Sequence, residues 1–137
     1  MIIAQIMTHE PITATPDWTL SKAFQAIYEG DFRHLPVVDR HGELKGMLSS
    51  RDMERALLPA VIGELKHGQP AELFEQTVGE FMVGDVLTLS TEDEIPEAIE
   101  LMVSHRVGAL PVVDPHTGML LGIVSYVDVL RAAREYF

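Results

Sequence analysis

Two hydrophobic periods alternate along this chain, and the alternation occurs twice. Leu20, Ala23, Phe24 and Ile27 fall on one side of a helix that Gly30 stops, behind a cap at Asp17 or Thr19. Further on, Ile95, Ala98, Ile99 and Met102 form the same stripe more clearly, with Pro96 tolerated in the first turn. Each stripe is followed by a short continuous apolar run, 35–38 and then 110–113, which predicts a buried strand. The turns Asp39-Arg40-His41-Gly42 and Asp114-Pro115-His116-Thr117-Gly118 have hairpin chemistry. They lead into partner strands Leu44–Ser49 and Leu120–Ser125, and closing helices begin near Ser50 and Tyr126. Pro36 and Pro111 inside the second strands predict an edge position or irregular pairing. At the front, residues 1–7 read as a lead-in helix and 11–15 as a short strand ending at Pro16. Each half is therefore strand, helix, strand, strand, helix. Residues 58–76, with Pro59, Gly63, Gly68 and Pro70, form a linker that has room for a helical turn over 60–66.

The halves also repeat two blocks of sequence. His34-Leu35-Pro36-Val37-Val38-Asp39 returns as Ala109-Leu110-Pro111-Val112-Val113-Asp114. Gly46-Met47-Leu48-Ser49-Ser50-Arg51-Asp52 returns as Gly122-Ile123-Val124-Ser125-Tyr126-Val127-Asp128, with one extra turn residue in between. Two long units give one closed body with approximate twofold symmetry, since an open solenoid needs three or more short ones. In 137 residues each half is marginal alone, so the halves are expected to share a core.

Composition narrows the function. Hydrophobic residues at 47% and charged ones at 23% are ordinary for a soluble globular chain, and no apolar run approaches the roughly 20 residues of a membrane span. The first seven residues have no basic flank and are not read as a signal peptide. The absence of cysteine excludes disulfides and thiol catalysis and makes the cytoplasm the default. A net charge of −11 argues against nucleic acid or an anionic membrane as partner, both of which need a cationic face.

The tandem Leu-Pro-Val-Val-Asp, turn glycine, Gly-x-x-Ser-x-x-Asp resembles a pair of cystathionine-beta-synthase (CBS) domains, as found in standalone bacterial-type regulatory modules. The resemblance implies an α+β fold of two repeats, 1–57 and 77–137, joined by linker 58–76 and packed through their small sheets with pseudo-twofold symmetry. It implies clefts for an adenosyl ligand: AMP, ADP, ATP or S-adenosylmethionine, with magnesium accompanying a nucleotide and no catalytic cofactor. Such modules commonly pair, so a homodimer is expected, through the helices opening at Leu20 and Ile95 and those closing at Leu57 and Ala133. With no effector domain recognised, an effector protein is expected as the target.

In this family a cleft combines the Ser-x-x-Asp of one repeat with the first two strands of the other. Carried over, cleft one joins Thr8, Ile12, Arg33, His34 and Leu35 to Ser125, Tyr126 and Asp128. Cleft two joins Val83, Leu87, Gly108, Ala109 and Leu110 to Ser49, Arg51 and Asp52. Arg33-His34 is similar to the family's basic phosphate-binding pair and Gly108-Ala109 to its small-residue version, so the clefts should be unequal. The chemistry is reasonable in itself: a carboxylate accepts from both ribose hydroxyls, and a serine at a helix start favours phosphate. Gly46 and Gly122 permit close backbone approach. The competing reading is that each serine and aspartate caps its helix and does nothing else.

Other constellations carry less. The six histidines show no paired metal spacing, and Glu92-Asp93-Glu94 reads as a helix start, with Asp17 and Glu92 in equivalent capping positions. The seven methionines read as core filler and Trp18 as packing. No serine elbow, phosphate loop or duplicated carboxylate pair with a base is present, so the chain does not read as an enzyme. A ligand sensor is the leading reading, and a dimerisation or docking scaffold with vestigial clefts is the alternative.

Overall fold

Each half of the chain is completed by a segment of the other. The computed structural model describes residues 1–30, 32–61 and 70–137. Their order is a 3-10 turn at Ile3–Gln5, β1 (Thr8–His9), α1 (Leu20–Gly30), β2 (His34–Val38), β3 (Leu44–Ser49), α2 (Ser50–Val61), α3 (Pro70–Phe74), α4 (Val78–Phe81), α5 (Ile95–His105), β4 (Ala109–Val113), β5 (Leu120–Ser125) and α6 (Tyr126–Ala133), with a last 3-10 turn at Arg134–Tyr136. The chain divides into two compact units. Unit 1 is Met1–Pro11, His41–Leu44 and Val86–Phe137; unit 2 is Ile12–Arg40 and Lys45–Asp85.

In unit 1 the sheet order is β1-β5-β4, with Thr8 opposite Ile123 and His9 opposite Gly122. Here the lead-in of the first repeat is the edge strand of the second repeat's sheet. In unit 2, β2 pairs with β3, and Val83 from the second repeat's lead-in bridges Met47 through two backbone hydrogen bonds of 3.0 and 2.9 Å. The lead-in turns dock in the same manner. Ile3 and Ala4 donate to Asp93 and Thr91 at 2.7 and 3.0 Å, while Val78 and Gly79 donate to Trp18 and Pro16 at 2.8 and 2.9 Å.

Gly46 and Gly122 make this pairing possible. A Cβ on Gly46 would sit 2.7 Å from the Val83 carbonyl, and one on Gly122 would sit 2.7 Å from that of Thr8. The close approach expected of these glycines is therefore to the partner repeat's backbone. At the hairpin turns Gly42 and Gly118 adopt φ of 88° and 76°, a region that favours glycine.

The buried apolar residues form two clusters, one in each unit, in place of the single shared core expected. Leu20, Ala23, Ile27, Leu35, Val37, Leu48 and Met53 surround Val78 in unit 2. Ala98, Met102, Leu110, Val112, Val124 and Val129 surround Ile3 in unit 1. The sharing lies in the segments, since each cluster takes one buried lead-in residue from the other repeat, with Phe81 and Met82 or Ile6 and Met7 packed against it. Burying one such side chain is worth about 1.5–3 kcal/mol. Trp18 packs against the unit 2 cluster, as expected.

Several elements differ in detail from the sequence reading. The expected strand over 11–15 is reduced to one parallel bridge, Ala14 to Val37, because Pro11 and Pro16 cannot donate to a ladder. Its counterpart is Leu89 to Val112, and β4 otherwise lies at its sheet's edge, where Pro111 is tolerated. Thr19, not Asp17, caps α1, its hydroxyl accepting from Lys22 N–H at 3.1 Å. Likewise α5 is capped at Glu94 rather than Glu92, with Glu97 accepting the Glu94 N–H at 2.8 Å. Ile99, placed on the buried stripe by spacing, is 42% exposed. Within the linker, α2 runs on to Val61 and α3 begins at Pro70; the expected turn over 60–66 otherwise lies outside the described residues.

The glycine contacts give a direct check on the exchange. Gly46→Ala or Gly122→Ala should destabilise the protein by about 1–3 kcal/mol, the usual range for overpacking. Gly84→Ala, whose Cβ would meet nothing closer than 4.0 Å, should leave stability nearly unchanged. Urea unfolding of the three variants against wild type measures both.

Candidate functional site

The two Ser-x-x-Asp motifs close as reciprocal caps on the helices that follow. In unit 2 the Ser49 N–H donates to Asp52 Oδ2 at 3.0 Å, and Ser49 Oγ accepts from Asp52 N–H at 3.0 Å. In unit 1 the Ser125 N–H donates to Asp128 Oδ2 at 2.8 Å, and Ser125 Oγ accepts from Asp128 N–H at 3.3 Å. The Ser125 hydroxyl also lies 3.1 Å from Asp128 Oδ2. The capping role weighed from sequence is thus realised in both copies, and one carboxylate oxygen of each aspartate is used in it. Both aspartates remain partly exposed at helix N-termini, where the backbone dipole favours an anion.

The strand before each hairpin reaches the same helix start. Ser50 N–H donates to the Arg33 carbonyl at 2.8 Å, and Tyr126 N–H donates to the Gly108 carbonyl at 2.9 Å. Within unit 2, therefore, Arg33 and His34 adjoin Ser49, Arg51 and Asp52. Within unit 1, Gly108 and Ala109 adjoin Ser125, Tyr126 and Asp128. The lead-in residues join from the other repeat: Val83 opposes Met47, two residues before Ser49, and Thr8 opposes Ile123, two before Ser125. Thr8 with Ser125 and Val83 with Ser49 are combinations that the sequence reading made. Its pairing of Arg33-His34 with Ser125-Asp128, and of Gly108-Ala109 with Ser49-Asp52, combines residues of different units. Leu35, Ala109 and Leu110 are buried. Ile12 at 56%, Val83 at 47%, Leu87 at 37% and Tyr126 at 50% exposure leave apolar surface in the units that hold the carboxylates.

Charge is unequal between the two motifs. Unit 2 has exposed Arg33 and Arg51 beside partly buried His34. Burial holds the His34 pKa below its ordinary 6.5, the Asp52 carboxylate opposes that shift, and Arg33 adds to it. Unit 1 offers Arg131, whose Nη1 lies 3.6 Å from Asp128 Oδ1 one turn along α6. The sequence reading did not single out Arg131, though its i, i+3 spacing from Asp128 is a legible signal. Arg106 caps α5 in the left-handed region with φ of 54°. Among the described residues no group of three His, Asp or Glu is placed to hold a metal ion. No described helix is long and apolar enough to cross a membrane.

Comparison with known proteins identifies the family and the fold. The family described as CBS domain matches residues 3–59 and 78–135. The uncharacterized protein MJ1225 of Methanocaldococcus jannaschii is 32% identical over 131 residues, spanning 95% of this chain and 46% of that protein. Its crystal structure superimposes with a TM-score of 0.86. A CBS domain-containing protein of Dictyostelium discoideum is 31% identical over 130 residues, spanning 95% of this chain and 89% of the relative. This chain therefore spans about half the length of the first relative and most of the second. The CBS domain pair of MJ0100, solved in complex with 5′-methylthioadenosine and S-adenosyl-L-methionine, gives a TM-score of 0.83 at 25% identity, covering 100% of this chain and 98% of that one.

The caps predict a split between two substitutions. Asp52→Ala and Asp128→Ala should each lose about 0.5–2 kcal/mol of stability. Asp→Asn, which keeps an acceptor oxygen for the serine N–H, should lose distinctly less in chemical denaturation. His34 predicts a pH dependence. Its folded pKa lies below 6.5, so the unfolded chain takes up the proton first as pH falls, and stability drops from about pH 6.5 downward. The loss of melting temperature between about pH 7.5 and about pH 5.5 should be smaller in His34→Gln than in wild type.

Proposed function

This chain belongs to the CBS-domain family, and on that premise we propose that it is a cytoplasmic regulatory sensor that binds adenosyl ligands rather than transforming them. The observation that carries the reading is the duplicated, serine-capped carboxylate at a helix start, in a unit with exposed apolar side chains. The carboxylate accepts the two ribose hydroxyls, the helix start and its serine receive phosphate, and side chains such as Val83 or Leu87 cover the adenine. Arg33, His34 and Arg51 add positive charge for phosphate beside Asp52. The Asp128 motif, flanked by Gly108, Ala109 and Tyr126, suits ligands with less negative charge. The ligands bound by the similar CBS pair of MJ0100, a neutral thioadenosine and a sulfonium, support an adenosyl class broader than nucleotides. Binding shifts how the module packs, because a ligand biases an equilibrium only through unequal affinity for its states. In this reading the module is a homodimer, and an effector protein reads the shift.

One observation favours a second reading. The caps alone account for both serines and both aspartates, so a docking scaffold with empty clefts needs no ligand to keep them. Thermal shift with adenosine, AMP, ADP, ATP, 5′-methylthioadenosine and S-adenosylmethionine separates the two, since a ligand of the folded state must raise the melting temperature. Sensing predicts a dose-dependent rise for at least one of these, and scaffolding predicts none.

Phosphate recognition gives the finer prediction. In a chain of net charge −11 the overall field repels phosphate, so entry depends on local cations. Arg33→Ala should weaken AMP binding severalfold, about 1 kcal/mol for an exposed contact, and adenosine binding much less. The difference should shrink at high salt. Calorimetric titrations at two ionic strengths measure it, and equal losses for both ligands would place Arg33 in the fold or the base pocket.

A further inference from the structure

The duplication puts a titratable side chain where the other half has a methyl group. Ala109 lies directly opposite Ser125 across β4 and β5, so the two side chains share a face of that sheet. The equivalent residues of unit 2 are His34 of β2 and Ser49 of β3, strands that pair with each other. The start of β2 is tied to the start of α2 as in unit 1, through the 2.8 Å bond from Ser50 N–H to the Arg33 carbonyl. His34 is therefore held on the face where Ser49 Oγ accepts from Asp52 N–H at 3.0 Å and Asp52 Oδ2 accepts from Ser49 N–H. It is half-buried there and feels both a cation, Arg33, and a carboxylate, Asp52.

The other charges around β2 are engaged elsewhere or face solvent. On α1, which packs on β2, Lys22 lies 4.2 Å from the Trp18 ring centroid and Glu29 accepts from Gln25 at 3.0 Å. On β3, Lys45 pairs with Asp39 at 3.7 Å. Arg51, Glu54 and Arg55 of α2 are exposed, as are Glu80 and Asp85 of the exchanged lead-in. Burial and Arg33 favour the neutral ring. A phosphate arriving beside Asp52 brings negative charge and acceptor oxygens, both of which favour the imidazolium, whereas an uncharged adenosyl group brings neither. Proton and phosphate then assist each other, and by linkage each raises the affinity for the other by the same factor. The methyl group of Ala109 has no such response.

We infer that His34 makes the Asp52 site a joint sensor of protons and of phosphorylated adenosyl ligands, which it binds more tightly as pH falls. This rests on the adenosyl reading proposed above and adds a second input to one of its two motifs. With ligand bound, His34 titrates at higher pH than without it. Affinity therefore rises as pH falls through the bound value and levels off below the free one.

Calorimetric titration of the full chain with AMP at about pH 7.5 and about pH 5.5 tests it, with adenosine as the uncharged control. AMP itself loses charge over this range, because the second ionisation of a phosphate ester lies at about 6. The quantity to read is therefore the ratio of wild-type to His34→Gln affinity, in which that loss cancels. For AMP the ratio should rise about fivefold or more on going to the lower pH, since one unit of pKa difference is worth about tenfold. For adenosine it should stay constant. Proton NMR of wild type gives a readout that needs no variant: saturating AMP should move the titration midpoint of the His34 ring upward, and adenosine should not. If AMP binds at neither pH, the phosphate site itself falls and this inference with it. If AMP binds with a flat ratio, or without moving the His34 midpoint, the proton linkage alone is overturned.

Discussion

The structure depends on a backbone pairing that only glycine permits. Gly46 and Gly122 let the lead-in of one repeat lie against the third strand of the other, closer than any side chain would allow. Much else follows from that approach. Two backbone hydrogen bonds between Met47 and Val83, each worth about 0.5–1.5 kcal/mol, tie the second lead-in into unit 2. The docked turns then place Val78 and Ile3 in the two clusters, where both are fully buried. A repeat cut from its partner would lose an apolar core residue and the lead-in pairing together. Halves this small have little stability to spare, so the duplication stays in one chain for physical reasons.

The same pairing builds the helix starts. With each third strand held between its own hairpin partner and the exchanged lead-in, its last residue, Ser49 or Ser125, is fixed where the closing helix begins. The serine and the aspartate three residues on then satisfy each other's backbone donors. Capping and recognition are therefore not rival explanations. A carboxylate oriented by its own cap is preorganised, and a ligand that uses its remaining acceptor capacity need not order it. This is why removal of the side chain confounds fold and binding, and why a change from carboxylate to amide separates them.

Most elements were legible from the sequence because they rest on local patterns. The strands Leu44–Ser49 and Leu120–Ser125 and the starts of α2 and α6 lie where the hydrophobic runs and turn glycines place them. What periodicity cannot carry is partnership. Residues 1–7 look apolar in either unit, and nothing local says that Thr8 will pair with Ile123 and not with its own repeat. Thr19 was one of the two caps read for α1, but Asp17 beside it and Glu92 in the second repeat lie two residues early, since a carboxylate near a helix start is favoured by the dipole whether or not it is the cap. Ile99 was assigned to the core by spacing, but on a helix packed along one narrow stripe the i+4 position lies at the boundary. As for the site, the motifs named Asp52, Asp128, Ser49 and Ser125, while the direct neighbours of those residues depended on the hairpin and the exchange.

Where the two halves agree and where they differ follows the backbone. Gly46 and Gly122, Ser49 and Ser125, and Asp52 and Asp128 are identical, and each sits where a pairing or a cap dictates the residue. Arg33 against Gly108, His34 against Ala109, Ser50 against Tyr126, Arg51 against Val127 and Glu54 against Leu130 differ. The first pair contributes a carbonyl to the helix start, which any residue supplies, so its side chain is free to vary. The last two lie on outward helix faces that the fold does not constrain. One frame thus carries two chemistries: a cationic surround at Asp52, and an apolar helix face beside a less cationic carboxylate at Asp128. Had the two halves been selected for folding alone, nothing would oppose identical solutions at these positions. Their divergence shows instead that the frame accepts different side chains wherever neither a pairing nor a cap dictates the residue.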